Sequence, residues 1–430
     1  MKYINEKVRT ISFQIRWLSI SKFILFVFLL YMNWIKEIWG DIPIILYGSV
    51  IVLTLSLLLH QDEGEKYIDL ECITDYYIVL LMFGFYCLIS GIIVCVNRYL
   101  FISSMVTYFS YLVVFYDICL IAKRDKGWGW LLNTVLLVAL ICCVYALLFG
   151  VTIHNSGAEA LTLSTINNPH ILALVYLIGI FGLMANRETG FHNIAFKLFV
   201  MLLLCYGILR TGSRKSLLAM LLFLAVWFIA IMSISNVLLP IRTKVVFYLC
   251  ILISIIFVFL YIQRFYIGSD QFERLMRFFS YESDHSSEDR IQMYKLSWDL
   301  WKAHPIFGVG FNQYQLYSWR GDYSHSTYAE VLACTGIIGT VILFVPILYY
   351  FCNVIKLTFS APRGYRYYYE MCIAGFLMVF FLGSGQVWMY GLSHELFFFC
   401  IFGVMDDCKI VEIPDMKEKN KGKRKWKYLR

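Results

Sequence analysis

His325 stands where polar chain gives way to a long apolar run, in YSHSTYAEVLACTGIIGT at 323–340, and Glu330 follows it into that run. An imidazole at such a boundary can be a solvated helix end, or it can take a proton from a reacting hydroxyl. Glu330 is harder to read as passive, because a carboxylate inside an apolar span is costly and is usually kept for a partner or a purpose. Five residues turn an α-helix by about 500°, which leaves Glu330 about 140° around from His325. Glu330 is therefore expected to meet a neighbouring polar group of the bundle, not the imidazole. Tyr328 is grouped with it as a supporting residue. A second cluster, LRTGSRKS at 209–216, sets Arg210 and Arg214 four residues apart around a short turn. Both could face one anion, and the planar guanidinium fork suits a phosphate; the alternative is ordinary snorkelling from two helix ends. The third candidate is Arg290, expected in the first turn of a helix over 288–303, where a cation opposes the helix dipole unless an anion sits nearby. Glu288 and Asp289 could supply that anion locally.

The elements that must position these residues are set by composition. Of 430 residues, 60% are hydrophobic and only 15% charged, too few polar residues for a soluble chain of this size. The apolar residues come in blocks of roughly 17–25, the length of a helix that crosses about 30 Å of hydrocarbon. An all-α polytopic membrane protein is predicted, one integral membrane domain over 1–430. It has about twelve spans, at 17–35, 43–60, 76–96, 99–121, 130–152, 170–186, 194–210, 214–233, 244–263, 326–351, 369–389 and 391–406. The basic, then apolar start has no small-residue cleavage site and reads as an uncleaved first span. Many of the 13 cysteines lie within apolar blocks and none form a CxxC pair, so neither a disulfide framework nor a metal site is indicated.

Lys and Arg fall on alternate loops: the N-terminus, KRDK at 123–126, NRET at 186–189, RTK at 242–244, KLTFSAPRGYR at 356–366 and the basic tail at 407–430 share one side. By the positive-inside bias both termini are expected to be cytoplasmic. The segment 265–324, between spans nine and ten, is then a large extracytoplasmic loop. Arg98, Arg210, Arg214 and Arg290 fall on that outer face, against the bias. Within the loop, Ser286 or Ser287 can cap the expected helix, Ile291, Tyr294, Trp298 and Trp301 share an apolar face, and Pro305 ends it. An external helix with such a face suits the lipid headgroup zone. The glycines of IFGVGFNQY permit a tight turn and do not make a dinucleotide fingerprint.

The polar clusters thus converge on one membrane boundary, where a lipid-linked sugar presents a pyrophosphate. Four stretches in this order, STINNPHILA at 164–173, TGSRKSLL at 211–218, DRIQMYKLSWDLWKAHPIFGVGFNQY at 289–314 and HSTYAEVLACTGIIG at 325–339, resemble the bacterial O-antigen polymerase and O-antigen ligase superfamily, membrane glycosyltransferases of the GT-C type. The resemblance covers roughly 160–345. It implies that Arg214 and Arg290, with Arg210 nearby, bind the undecaprenyl pyrophosphate of the donor. It also implies that His325 is the base or acceptor-orienting group, and that neither a cofactor nor a metal takes part. Ser326 stands where the family often has Asn, and NPH replaces a commoner Asn-Pro-Asn.

The wording of 325–339 favours a polymerase of O-antigen or capsule repeat units. A ligase moving glycan to lipid A core or protein is the alternative. A flippase-type transporter, the other class weighed, predicts broken helices and an inverted repeat. The implied partners are the undecaprenyl-pyrophosphate-linked oligosaccharide, membrane lipid, a flippase and a chain-length regulator, with no nucleic acid. The implied place is the bacterial cytoplasmic membrane, with the active site outside.

Overall fold

The computed structural model describes residues 18–40, 42–59, 69–155, 158–164, 168–186, 194–238 and 285–418. The helices within them are α1 (Leu18–Ile35), α2 (Pro43–Leu58), α3 (Asp75–Val94), α4 (Arg98–Asp125), α5 (Gly129–Phe149), α6 (Pro169–Ala185), α7 (Ile194–Arg210), α8 (Arg214–Leu238), α9 (His285–Ala303), α10 (Thr327–Ser360), α11 (Arg363–Gly383) and α12 (Leu392–Glu418). Helix occupies the segments expected for spans one to eight and ten to twelve; span nine, 244–263, lies outside the described residues. Among the described residues five helices, α1, α3, α4, α5 and α10, are long and apolar enough to cross a membrane, and α2 and α6 are shorter apolar helices. The chain is thus a helical, integral membrane protein. Local chemistry sets several starts: Pro43 and Pro169 occupy first-turn positions, and Asn97 and Asn168 cap α4 and α6 by accepting the amides of Leu100 and His170.

Several expectations shift. A two-stranded antiparallel hairpin, β1 (Val151–Asn155) and β2 (Ala158–Thr162), stands in the segment read as loop. Helix α9 starts at His285, so Ser286 and Ser287 lie inside it and Arg290 falls in its second turn, where the opposition of the dipole has faded. Its packed face is Met293, Ser297 and Leu300, while Ile291 and Trp298 are exposed and Tyr294 and Trp301 are half-buried. Helix α11 ends at Gly383, so Val387, Trp388 and Met389, read as the end of a span, belong to a connection at 384–391.

The largest departure is in α10. Gly336 has φ 62° and ψ −165°, which splits the helix into two arms, 327–335 and 337–360. Sixteen residues of straight helix would set Tyr328 and Phe344 about 24 Å apart, yet their ring centroids are 5.4 Å apart. The arms are therefore sharply folded towards each other, with Trp388 packed on both rings. The backbone groups freed at the break are paired with the glycine-rich segment after α9. Val309 N and Gly310 N donate to Ala333 O and Cys334 O at 3.0 and 2.9 Å. Ile337 N and Ile338 N donate to Pro305 O and Ile306 O at 2.9 and 3.5 Å. These are the four groups that an unbroken helix would have paired with one another. Cβ atoms at Gly308 and Gly336 would lie 2.4 and 2.3 Å from backbone atoms across this junction. The glycines of IFGVG thus serve a backbone-to-backbone approach to α10, beyond permitting a turn.

Connections that the charge pattern assigned to one face meet at one end of the bundle. Asn97 N donates to Gln313 Oε1 at 2.8 Å, Asn312 Nδ2 to Ser104 Oγ at 2.7 Å, and Lys215 Nζ to Ser384 O at 2.9 Å. Asp69 with Lys123, and Trp128 N with Asp407, pair among the connections of the other group.

Candidate active site

The α7–α8 hairpin turns through Thr211, Gly212 and Ser213, with Gly212 at φ 63°. Ser213 caps α8: its Oγ accepts the amide of Ser216 at 3.4 Å and exchanges a 2.7 Å hydrogen bond with His170 Nδ1, from the first turn of α6. Arg210 ends α7 and Arg214 begins α8, so the hairpin brings both to the same end of the bundle. Both side chains are half-buried.

Lys215, the next residue, reaches the α11–α12 connection. Its ammonium and the Tyr294 hydroxyl of α9 both donate to the carbonyl of Ser384, each at 2.9 Å. The hairpin, the loop helix and the last interhelical connection therefore converge on one oxygen. Two residues on, the carbonyl of Gln386 accepts Thr327 N and Thr327 Oγ1 at 3.1 and 2.6 Å, which fixes the start of α10. The Gln386 side chain donates to His170 O at 3.3 Å and pairs with His394 Nε2 at 2.7 Å. One glutamine thus ties α6, α10 and α12 together.

His325 is half-buried just ahead of α10, its ring 4.6 Å from that of Tyr323. Burial is the main cause that drives its pKa down to about 4, and Arg290 adds to it, with Arg320 and Lys215 acting the same way against Asp322. The ring is therefore a neutral imidazole at ordinary pH, with a cationic surround. Asp289 does not neutralise Arg290: it binds Arg320 at 2.8 Å, and no ion pair holds Arg290 among the described residues. The structure thus brings Arg290, Lys215 and His325 together, with Arg214 adjacent in sequence to Lys215. It sends Tyr328 elsewhere, its hydroxyl donating to Phe380 O at 2.7 Å, so that Tyr328 braces α10 against α11. Glu330 is fully buried, and its carboxylate accepts Ser324 N at 2.6 Å and the Tyr390 hydroxyl at 3.0 Å.

Sequence reasoning missed Lys215, Gln386 and Tyr390. Lys215 had a visible signal, one position from Arg214 in RTGSRKS; Gln386 was hidden inside residues read as membrane span, and Tyr390 in the one-residue gap left between the last two spans. Among the described residues no group of three or more His, Cys, Asp or Glu side chains is gathered as for a metal ion.

An O-antigen ligase family model matches residues 199–344, the stretch that carries the arginine hairpin, α9, the glycine-rich segment and His325. Comparison with curated proteins finds no match. The match covers about a third of the chain and, with the ordered motifs within it, supports a likeness to the O-antigen polymerase and O-antigen ligase superfamily.

Proposed function

We propose that the chain is a glycan polymerase that transfers a growing chain from its undecaprenyl pyrophosphate carrier to the next lipid-linked repeat unit, on the outer face of the cytoplasmic membrane. In this reading an acceptor hydroxyl oxygen attacks the anomeric carbon of the donor. The bond from that carbon to the pyrophosphate oxygen breaks, the lipid pyrophosphate leaves as an anion, and the acceptor proton passes to a ring nitrogen of His325. Arg210, Arg214 and Arg290 hold the pyrophosphate and stabilise the charge that develops on it. The observation that carries the reading is the imidazole at the mouth of α10 with Arg290 and Lys215 near enough to act on its charge. A base and a cationic anchor side by side are what such a displacement needs.

Ligation of finished glycan to lipid A core or protein uses the same chemistry with a different acceptor, and it is the second reading because the matched family includes ligases. Transport fits less well. A broken helix is present in α10, but its freed carbonyls and amides are occupied by 305–310 and so do not face a passenger. The test is the glycan of a strain lacking the protein. Loss of long chains with a single repeat retained supports the polymerase, and full-length glycan stranded on carrier lipid overturns it in favour of the ligase. With purified protein and synthetic lipid-linked repeats, His325→Ala is expected to lower the rate about 10²-fold or more while donor binding persists. Normal turnover by this variant would remove His325 from the chemistry.

A further inference from the structure

His325 precedes α10, and the carboxylate of Glu330, in the first turn of that helix, reaches back to the chain one residue before the imidazole. Oε2 accepts the amide of Ser324 and Oε1 the hydroxyl of Tyr390. His325 itself has φ 58°, in the left-handed region that a non-glycine residue holds only where its surroundings over-determine it. Those surroundings are visible on both sides of the residue. Ser324 is fully buried and its hydroxyl donates to Ser326 O at 3.0 Å, while Ser326 O also accepts Glu330 N at 2.9 Å. Tyr390 comes from the α11–α12 connection; its ring packs edge-on against Phe311 at 5.3 Å, and its hydroxyl meets Glu330 and lies 3.9 Å from Cys334 Sγ.

We propose that Glu330 and Tyr390 are positioning residues: together they clamp the peptide before His325, hold it in the left-handed conformation, and so fix the imidazole relative to Arg290 and Lys215. This rests on the reading of His325 as the base. Loosening the clamp frees His325 to relax to an ordinary negative φ, which re-aims the ring without touching the arginines. Turnover then falls while donor affinity holds. Glutamine at 330 retains an acceptor for Ser324 N and can donate to the Tyr390 oxygen, so it should restore most of what alanine removes.

The experiment uses the full chain with synthetic lipid-linked repeat units. Glu330→Ala is expected to lower kcat by about 10- to 100-fold, the scale of a small misplacement of a reacting group, with donor KM changed less than about twofold. Glu330→Gln should stay within about threefold of the parent, since the acceptor is kept. A second readout is independent of turnover: the rate at which diethyl pyrocarbonate modifies His325, followed by peptide mass spectrometry, should rise in Glu330→Ala and in Tyr390→Phe. Should Glu330→Ala fail to fold, Tyr390→Phe keeps the ring packing, removes one bond of the clamp and decides by the same two readouts. Parental kcat and parental modification rate in these variants overturn the clamp, as does a loss of kcat that glutamine does not restore. The two readings fail separately. A fully active His325→Ala sinks the base assignment, whereas an inactive His325→Ala beside an unimpaired Glu330→Ala sinks the clamp alone.

Discussion

Gly336→Ala tests the junction on which the site is mounted. Two costs can be separated from the geometry. The first is conformational: φ of 62° is left-handed, and an alanine there costs about 1 kcal/mol relative to glycine. The second is packing: the new Cβ would lie 2.3 Å from Ile306 O and 2.7 Å from Phe307 N, backbone atoms that cannot turn aside as a side chain would. Relief requires the 305–310 segment to withdraw, which gives up the four backbone hydrogen bonds of the junction, worth about 1 kcal/mol each. The expected total is about 5 kcal/mol, at the upper end of what single substitutions do. Gly321 supplies the control. Its φ is 70°, but a Cβ there meets nothing within 4 Å, so Gly321→Ala should cost only the conformational part. Thermal unfolding of both variants in detergent, followed by intrinsic tryptophan fluorescence, reads the difference, and glycan laddering reads the consequence for activity. Equal melting temperatures for the two variants would refute the paired junction.

Three further outcomes are expected. Arg214→Lys should lose most activity in the lipid-linked repeat assay although the charge is kept, because an ammonium does not reproduce a fork bonded to two phosphate oxygens; normal polymerisation would make Arg214 a snorkelling anchor. The kcat/KM profile, which reports the free enzyme, should stay flat below pH 6.5 and fall only as pH drops through about 4, where His325 protonates. Arg290→Gln should move that acid limb to higher pH by removing a cation that opposes protonation; the same depressed pKa means that the unfolded chain binds this proton first, so stability contributed here falls as pH drops from about 6.5 to 4. A limb at pH 6.5 in the parent would contradict the buried, cation-flanked imidazole. For topology, a cysteine substituted at Ser318 should react with an impermeant reagent from outside and one at Asn420 should not, and the reverse pattern would invert the charge-based orientation.

Much of the fold was legible because apolar blocks of membrane length leave few choices: with no water to satisfy the backbone, such blocks become helices. That logic located α1 to α8 closely and failed where helix ends depend on partners far along the chain. Val387, Trp388 and Met389 are as apolar as a span, but Trp388 packs against Tyr328, Phe344 and Phe398 from a non-helical connection, and Gly383 lies against its indole. The break in α10 was hidden for a related reason. TGIIG reads as ordinary helix until residues 305–310 are present to accept and donate the four bonds it gives up.

The site divides along the same line. Arg210, Arg214, Arg290 and His325 stood out as candidates because cations and an imidazole at an apolar boundary are anomalous by type alone. The residues that aim them are not anomalous by type, and their roles arise from pairings over long separations: Lys215 with Ser384, Tyr390 with Glu330, Gln386 with His170. Glu330 stands between the two classes. A carboxylate in a span announced a partner, which Tyr390 supplies; the helical angle between it and His325 does not apply, because His325 precedes the helix with φ 58°. Helical geometry could not reveal that the chain before Thr327 bends back in a left-handed turn and offers Ser324 N to that carboxylate. On the proposed reading the arginines are set by two helix ends and a loop helix, and the histidine by a buried acid behind it. That reading expects donor binding and proton transfer to be damaged independently, which is what makes the paired substitutions at Arg214 and Glu330 informative together: the first should act on the lipid pyrophosphate, the second on the rate at which a bound donor reacts.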